Sequence, residues 1–436
     1  MSLLLALALT VPTFNKDVAP IFFKRCAGCH RPNDIAPMSL LDYKSARPWA
    51  KSIKSSVTAR KMPPWFADPR FGHFSNDARL SDGELRTIQA WADGGAPEGD
   101  TKDLPAAPKF VEGWAMGKPD AVIDIGEDYE VTPGEDAYEH FVVDSKFKEG
   151  KWVRAAEIRP GNRQVVHHVH VLVVQDSVEA MAAASTSNMP GLSQFILREG
   201  KLSRIKKDAP VWNDACADKL PNLPLLTGAQ EGGLAAFLPG RPPDLFPEGS
   251  AKWVPAGAKL EFVVHYARVS GKRQKDRTSV GLYFLDAPPR QVLRRMDLRN
   301  FFMQIPAGAG NHEVRRCYDF ESDRYLLSFT PHMHYRGKDA TYELVRPNGK
   351  REMLLAVPRY DFNWQLVYRL KEPVFVEKGS RLVVTVHYDN SANNKANPDP
   401  KETVRWGDKS EEEMMTSWIE YLDASKPAAS ESARAR

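Results

Sequence analysis

The sequence predicts a multidomain chain, a small all-α domain followed by two all-β sandwich domains. Three observations carry this. Apolar residues recur at helical spacing up to about residue 98, around the motif Cys26-Ala27-Gly28-Cys29-His30. Beyond residue 112 the chain is a succession of strand-like runs bounded by Gly and Pro, with little amphipathic helix. Two of those runs, VPAGAKLEFVVHY (254–266) and VEKGSRLVVTVHY (376–388), repeat each other, with eight residues from glycine to histidine in both, so two similar β modules are expected.

The chain has 436 residues, 42% hydrophobic and 27% charged, which is enough for several packed cores and argues against disorder. Sixty basic and 56 acidic residues leave a formal net charge of +4, too little for a nucleic-acid-binding footprint. Residues 1–12 start with an apolar run, MSLLLALALT, that reads as a signal remnant without a basic leader or cleavage site. No stretch approaches the roughly 18 apolar residues of a membrane span.

Residues 13–98 form the expected α domain. In TFNKDVAPIFFKRC, Val18, Ile21, Phe22 and Cys26 fall at helical intervals and lead into CAGCH. Two thiols and an adjacent histidine at this spacing are the pattern of covalent c-type haem attachment, with His30 as one axial ligand. Residues 40–60 read as a helix broken near Pro48, and they run into Lys61-Met62-Pro63-Pro64-Trp65. Met62, on a loop stiffened by two prolines, is the second axial candidate, and Met38 is its competitor. Ser81 and Glu84 make a capping box for a helix carrying Leu85, Ile88 and Trp91 and stopped at Gly94-Gly95. The Pro-, Gly- and Asp-rich stretch that follows, 99–112, is a linker. Haem of this type is attached outside the bacterial cytoplasm. The protein is therefore expected in the periplasm or secreted, where Cys216 and Cys317 could be oxidised together; the sequence leaves their pairing open.

The β modules are expected at 113–288 and 289–424, with a polar tail at 425–436. The first holds an insertion at about 176–245, because His167 and His265 are 98 residues apart while His332 and His387 are 55 apart. SVEAMAAAS in that insertion reads as a short helix. Histidines cluster where strands end: His167, His168 and His170 in VVHHVHVLVV, His265 in EFVVHY, His332 and His334 in PHMHYRGK, and His387 in VVTVHY. A strand period of two puts His332 and His334 on one face, where two imidazoles can converge on copper, zinc or iron. The same period pairs His168 with His170 and places His167 on the other face.

His-His, then a strand-end His-Tyr, then His-x-His, then Met near the end: this order, over roughly 110–424, resembles the type II copper monooxygenases, the family of peptidylglycine alpha-hydroxylating and dopamine beta-monooxygenases. The resemblance implies two jelly-roll domains with one copper each. His167, His168 and His265 would bind the first copper, which stores and passes an electron. His332, His334 and Met414 would bind the second, where oxygen is activated. His170, His387 and Met415 are the rivals. Adjacent histidines can share a metal only where the strand bulges or the rings use different nitrogens. A solvent-filled gap is expected between the two sites. CAGCH, IAPMSL, ARPWA, KMPPW and WADGGAPEGD resemble the cytochrome c domain fused to bacterial members of this family, which implies haem c relaying electrons from an external donor to the first copper. The peptidylglycine enzyme's carboxylate-clamping Arg and Asn are replaced by Thr330 and Thr416, so a small organic substrate other than a glycine-ended peptide is expected, with O2 as co-substrate. The alternative is a non-catalytic electron-transfer or copper-binding protein.

Overall fold

The computed structural model of the protein describes residues 11–32, 34, 36–111, 113–134, 137–174, 197–198, 201–202, 211–216, 233–238, 243–267, 272–407 and 409–424. The apolar N-terminal run, SVEAMAAAS with most of the insertion, and the tail lie outside the described residues.

The N-terminal region is built of short helices. A π-helical turn, Phe14–Val18, continues into Ala19–Arg25, and Phe14, Val18 and Phe22 are fully buried at four-residue spacing. The break near Pro48 is present: Tyr43–Ala46, a 3-10 turn Arg47–Trp49, then Ala50–Thr58. Helix Asp82–Asp93 carries the expected capping box, the Ser81 hydroxyl accepting from the Glu84 N–H at 3.2 Å and the Glu84 carboxylate from the Ser81 N–H at 2.7 Å. Trp91 and Phe22 meet edge-on in the core shared by these helices.

This region also packs outside itself. Pro63 and Pro64 cannot extend a helix, and the following segment leaves the helices to pack on the second β module. Trp65, Phe66 and Ala67 join that module's core. The Asp68 N–H donates to Ala356, the Ser75 N–H to Arg369, and the Lys371 N–H to His73, all within 2.8 Å. Strands Arg351–Val357 and Tyr368–Val376, which receive these bonds, are terminal in their sheets, so the segment covers two otherwise open edges.

The rest of the described chain is mostly β-sheet. A four-stranded sheet, in the order Ala137–Asp144, Lys259–Tyr266, Val166–Val174, Gly233–Phe237, faces one half of a nine-stranded sheet across the first apolar core. A five-stranded sheet centred on Arg381–Tyr388 faces the other half across the second core. The long sheet continues across residue 288, because Ser250–Val254 pairs in parallel with Gln291–Arg299 through Ser250↔Gln291 and Ala251↔Val292. The repeated element is real: Gly257 (φ 67°) and Gly379 (φ 85°) make left-handed turns into central strands. Both strands end with a fully buried tyrosine, Tyr266 or Tyr388.

Candidate metal centres

Strands Val166–Val174 and Lys259–Tyr266 pair antiparallel, with His168 directly opposite His265. The register then slips, Tyr266 facing Val166, so His167 is the extra residue of a bulge. Alternation alone would turn His167 away; the bulge returns it to the face of His168. The three Nδ1 atoms of His167, His168 and His265 lie 3.2 Å from one another. An imidazole Nδ1 offers a proton or a lone pair, never both, so hydrogen bonds cannot satisfy all three contacts. One cation accepting three lone pairs can. Nitrogens 3.2 Å apart surround a point about 1.85 Å from each, close to the ~2.0 Å of an imidazole–metal bond.

His168 and His265 are buried and His167 half-buried. Burial, then repulsion from His265, His170, His167 and His332, drives the His168 pKa well below its usual value, which keeps a lone pair available. Tyr138 stacks on His265 at 4.3 Å. His170 does not enter the triangle: its ring packs against His168 at 5.6 Å and Trp418 at 5.1 Å.

The second cluster forms where strand Arg324–His332 leaves the long sheet, with His332 opposite Thr416. The His332 and His334 rings are 5.2 Å apart and nearly perpendicular. The Nδ1 of His332 meets the Gln365 carbonyl oxygen at 2.8 Å, and that of His334 meets the Glu412 carbonyl at 3.2 Å. Acceptors there fix Nδ1 as the protonated nitrogen and leave Nε2 of each ring for a metal. Burial lowers both, His332 to about 3 and His334 to about 4, so both are neutral at pH 7.

Met414 is half-buried against the second core, its carbonyl accepting from the Tyr388 hydroxyl at 2.8 Å and its N–H donating to the Glu413 Oε2 that also takes the His334 N–H. Met415 is wholly buried in the second core. His387 is elsewhere: its Nδ1 bonds Asp339 at 2.6 Å and its Nε2 faces Glu313 at 3.5 Å.

Aromatic rings bridge the expected solvent-filled gap. Phe362 lies 6.4 Å from His265 and 5.8 Å from His334, and Trp418 touches both His170 and His332 at 5.1 Å. Sequence reasoning missed Gln365, Phe362 and Trp418. They come from distant segments with no motif to mark them.

In the N-terminal region, Cys29 and His30 donate their backbone N–H groups to the Cys26 carbonyl at 3.1 and 2.9 Å, one turn holding all three. Both thiols are free. Burial first raises them, Cys26 to about 12 and Cys29 to about 11. The His30 Nδ1 is buried without a hydrogen-bond partner. Two adjacent neutral thiols and an orphaned imidazole nitrogen fit a covalently held haem. Met62 and Met38 both pack on the same helical core. Asp34, five residues after Cys29, pairs with Arg163 at 3.4 Å, four residues before His167.

Cys216 and Cys317 form a disulfide, Cα–Cα 5.0 Å, joining Asp214–Ala215 to His312–Asp319. Such a bond points to an oxidising compartment. Among the described residues no helix is long and apolar enough to cross a membrane.

No curated protein matches the chain. Among solved structures, the major capsid protein P2 of bacteriophage PM2 covers 70% of this chain and 98% of its own at 9% identity and a TM-score of 0.26. The infectious bursal disease virus VP2 subviral particle covers 72% and 74% at 9% identity and 0.20. Likeness at these scores supports nothing about fold or function. Residues 303–434, which contain His332, His334 and Met414, match the C-terminal domain of the copper type II ascorbate-dependent monooxygenases. With that domain the protein is an oxygen-using copper oxidoreductase.

Proposed function

We propose that the protein is a periplasmic monooxygenase that hydroxylates a C–H bond of a small organic substrate with two coppers. His167, His168 and His265 hold the first, and His332, His334 and Met414 the second. Cys26, Cys29, His30 and Met62 would hold haem c, which would supply electron relay from an external donor. The domains are 13–98, 113–288 and 289–424, with 99–112 as linker. The observation that carries this reading is the triangle of Nδ1 atoms 3.2 Å apart.

The overall reaction consumes O2, two electrons and two protons, placing one oxygen atom in the C–H bond and releasing the other as water. The coppers supply the one-electron steps and the site of oxygen reduction. The chain's residues hold them in two unlike settings. Three imidazoles at the first site suit electron storage, whereas the Met414 thioether is a soft donor that favours Cu(I). The Asp34–Arg163 pair sets the CAGCH turn against the loop that leads into His167, which supports electron entry at the first site. Met62 and its competitor Met38 both pack on the helical core that holds Cys26. Thr330 and Thr416 are buried and uncharged, which speaks against a carboxylate-terminated substrate.

The test is oxygen uptake by reduced, copper-loaded, haem-containing protein across a panel of small organic substrates. Substrate-dependent uptake with hydroxylated product is expected. Metal and haem without such uptake would leave an electron-transfer or copper-binding protein.

A further inference from the structure

Glu413 is a fully buried carboxylate beside the second cluster. Its Oε2 accepts the backbone N–H of His334 at 2.7 Å and of Met414 at 3.2 Å, and its Oε1 accepts the N–H of Arg336 at 2.6 Å. The Arg336 guanidinium bonds elsewhere, to Asn390 at 2.8 Å and the Glu411 carbonyl at 2.7 Å. The carboxylate is thus aimed at the backbone of two segments about eighty residues apart in sequence. One carries the His-x-His turn and the other the methionine. A buried charge costs several kcal/mol unless strongly bonded, and here three N–H donors do that.

We propose that Glu413 is a positioning residue of the second metal site. One carboxylate grips the backbone at His334 and at Met414, so the imidazole and thioether donors close on one ion. The proposal rests on the two-copper reading. No ligand atom is contributed by Glu413 itself; it acts through the residues it holds. Both oxygens are needed, since each serves a different part of the turn. In a Glu413→Gln variant the amide NH2 would face an N–H donor. In Glu413→Asp the charge remains, but the side chain is one methylene short of bridging the segments.

The experiment compares full-length wild type, Glu413→Gln and Glu413→Asp by copper stoichiometry, Cu(I) affinity and X-ray absorption of the reduced form. Wild type should hold two coppers with a sulfur scatterer. Both variants should lose the sulfur scatterer and bind the second copper roughly 10- to 100-fold more weakly, the range for outer partners of metal ligands, while the first copper is unchanged. Either variant keeping the sulfur signal and its second-copper affinity within twofold would overturn the proposal. So would failure of both to fold with wild-type circular dichroism and the Cys216–Cys317 bond, since Glu413 would then serve the fold rather than the metal. A wild type without sulfur scattering or a second copper would instead refute the two-copper reading.

Discussion

Gln365→Leu should separate metal affinity from stability. The Gln365 side chain is buried, and its carbonyl oxygen accepts from the His332 Nδ1 at 2.8 Å. Its own amide nitrogen is buried with no hydrogen-bond partner. Replacing it with leucine, close in volume, leaves the imidazole N–H unpaired, at about 1–3 kcal/mol. It also removes an unpaired amide donor, relieving a similar amount. The two changes offset, so the melting temperature of the copper-free protein should move by only a few degrees. Metal affinity has no such offset, because the ring loses the acceptor that fixes its tautomer and angle. An outer partner of this kind contributes roughly 10- to 100-fold in affinity, or about 1.4–2.7 kcal/mol. Competition with a Cu(I) chelator should show that loss at the second copper alone, with thermal melting run alongside. A drop of less than threefold, or an equal drop at both coppers, would show that His332 is not oriented through Gln365.

His168→Ala should empty the first site and leave the second copper and its sulfur scatterer in place, as read by metal analysis and X-ray absorption. Met62→Ala should abolish the low-spin, Met-ligated spectrum of the haem; if Met38→Ala does so instead, the axial assignment is reversed. Copper-free protein should lose stability as pH falls below 6.5. His332 and His334, lowered to about 3 and 4 from 6.5, take up protons only on unfolding between about pH 4 and 6.5, so stability present above 6.5 is lost on acidification. The two together give a loss of about 2.7 kcal/mol per pH unit of acidification in that range, and His168, lowered in the same direction, adds to it. Chemical denaturation at several pH values between about 4 and 7 reads the slope.

Local chemistry was legible wherever it was written in adjacent residues. The Ser81–Glu84 box, the break at Pro48 and the turn glycines of the repeat each depend on a few neighbours, and each stands in the structure where the pattern put it. What the sequence could not show was where edges are left open. The segment after Pro64 carries no strand pattern of its own. It docks because two terminal strands of the second module, far along the chain, present unpaired backbone groups to it. The continuity of the long sheet across residue 288 was hidden for the same reason: a parallel pairing of two residues leaves no trace in periodicity.

The histidines illustrate the limit more sharply. By internal symmetry His387 stands where His265 does, and both lie on the face of their strand opposite the buried Leu-x-Phe/Val-x-Val row. Yet the cross-strand partner of His265 is His168, and that of His387 is Asp339. An imidazole opposite an imidazole leaves two lone pairs to share a cation, whereas an imidazole opposite a carboxylate is already satisfied by a hydrogen bond. The repeat therefore preserves the strand and its tyrosine but not the histidine pairing; in the second module the histidine pair, His332 and His334, stands at the end of a strand in the other sheet. There the strand runs out of pairing partners, and the turn that follows is held by Glu413 from another segment. The two histidine clusters, carried on different sheets of similar modules, both border Phe362 and Trp418.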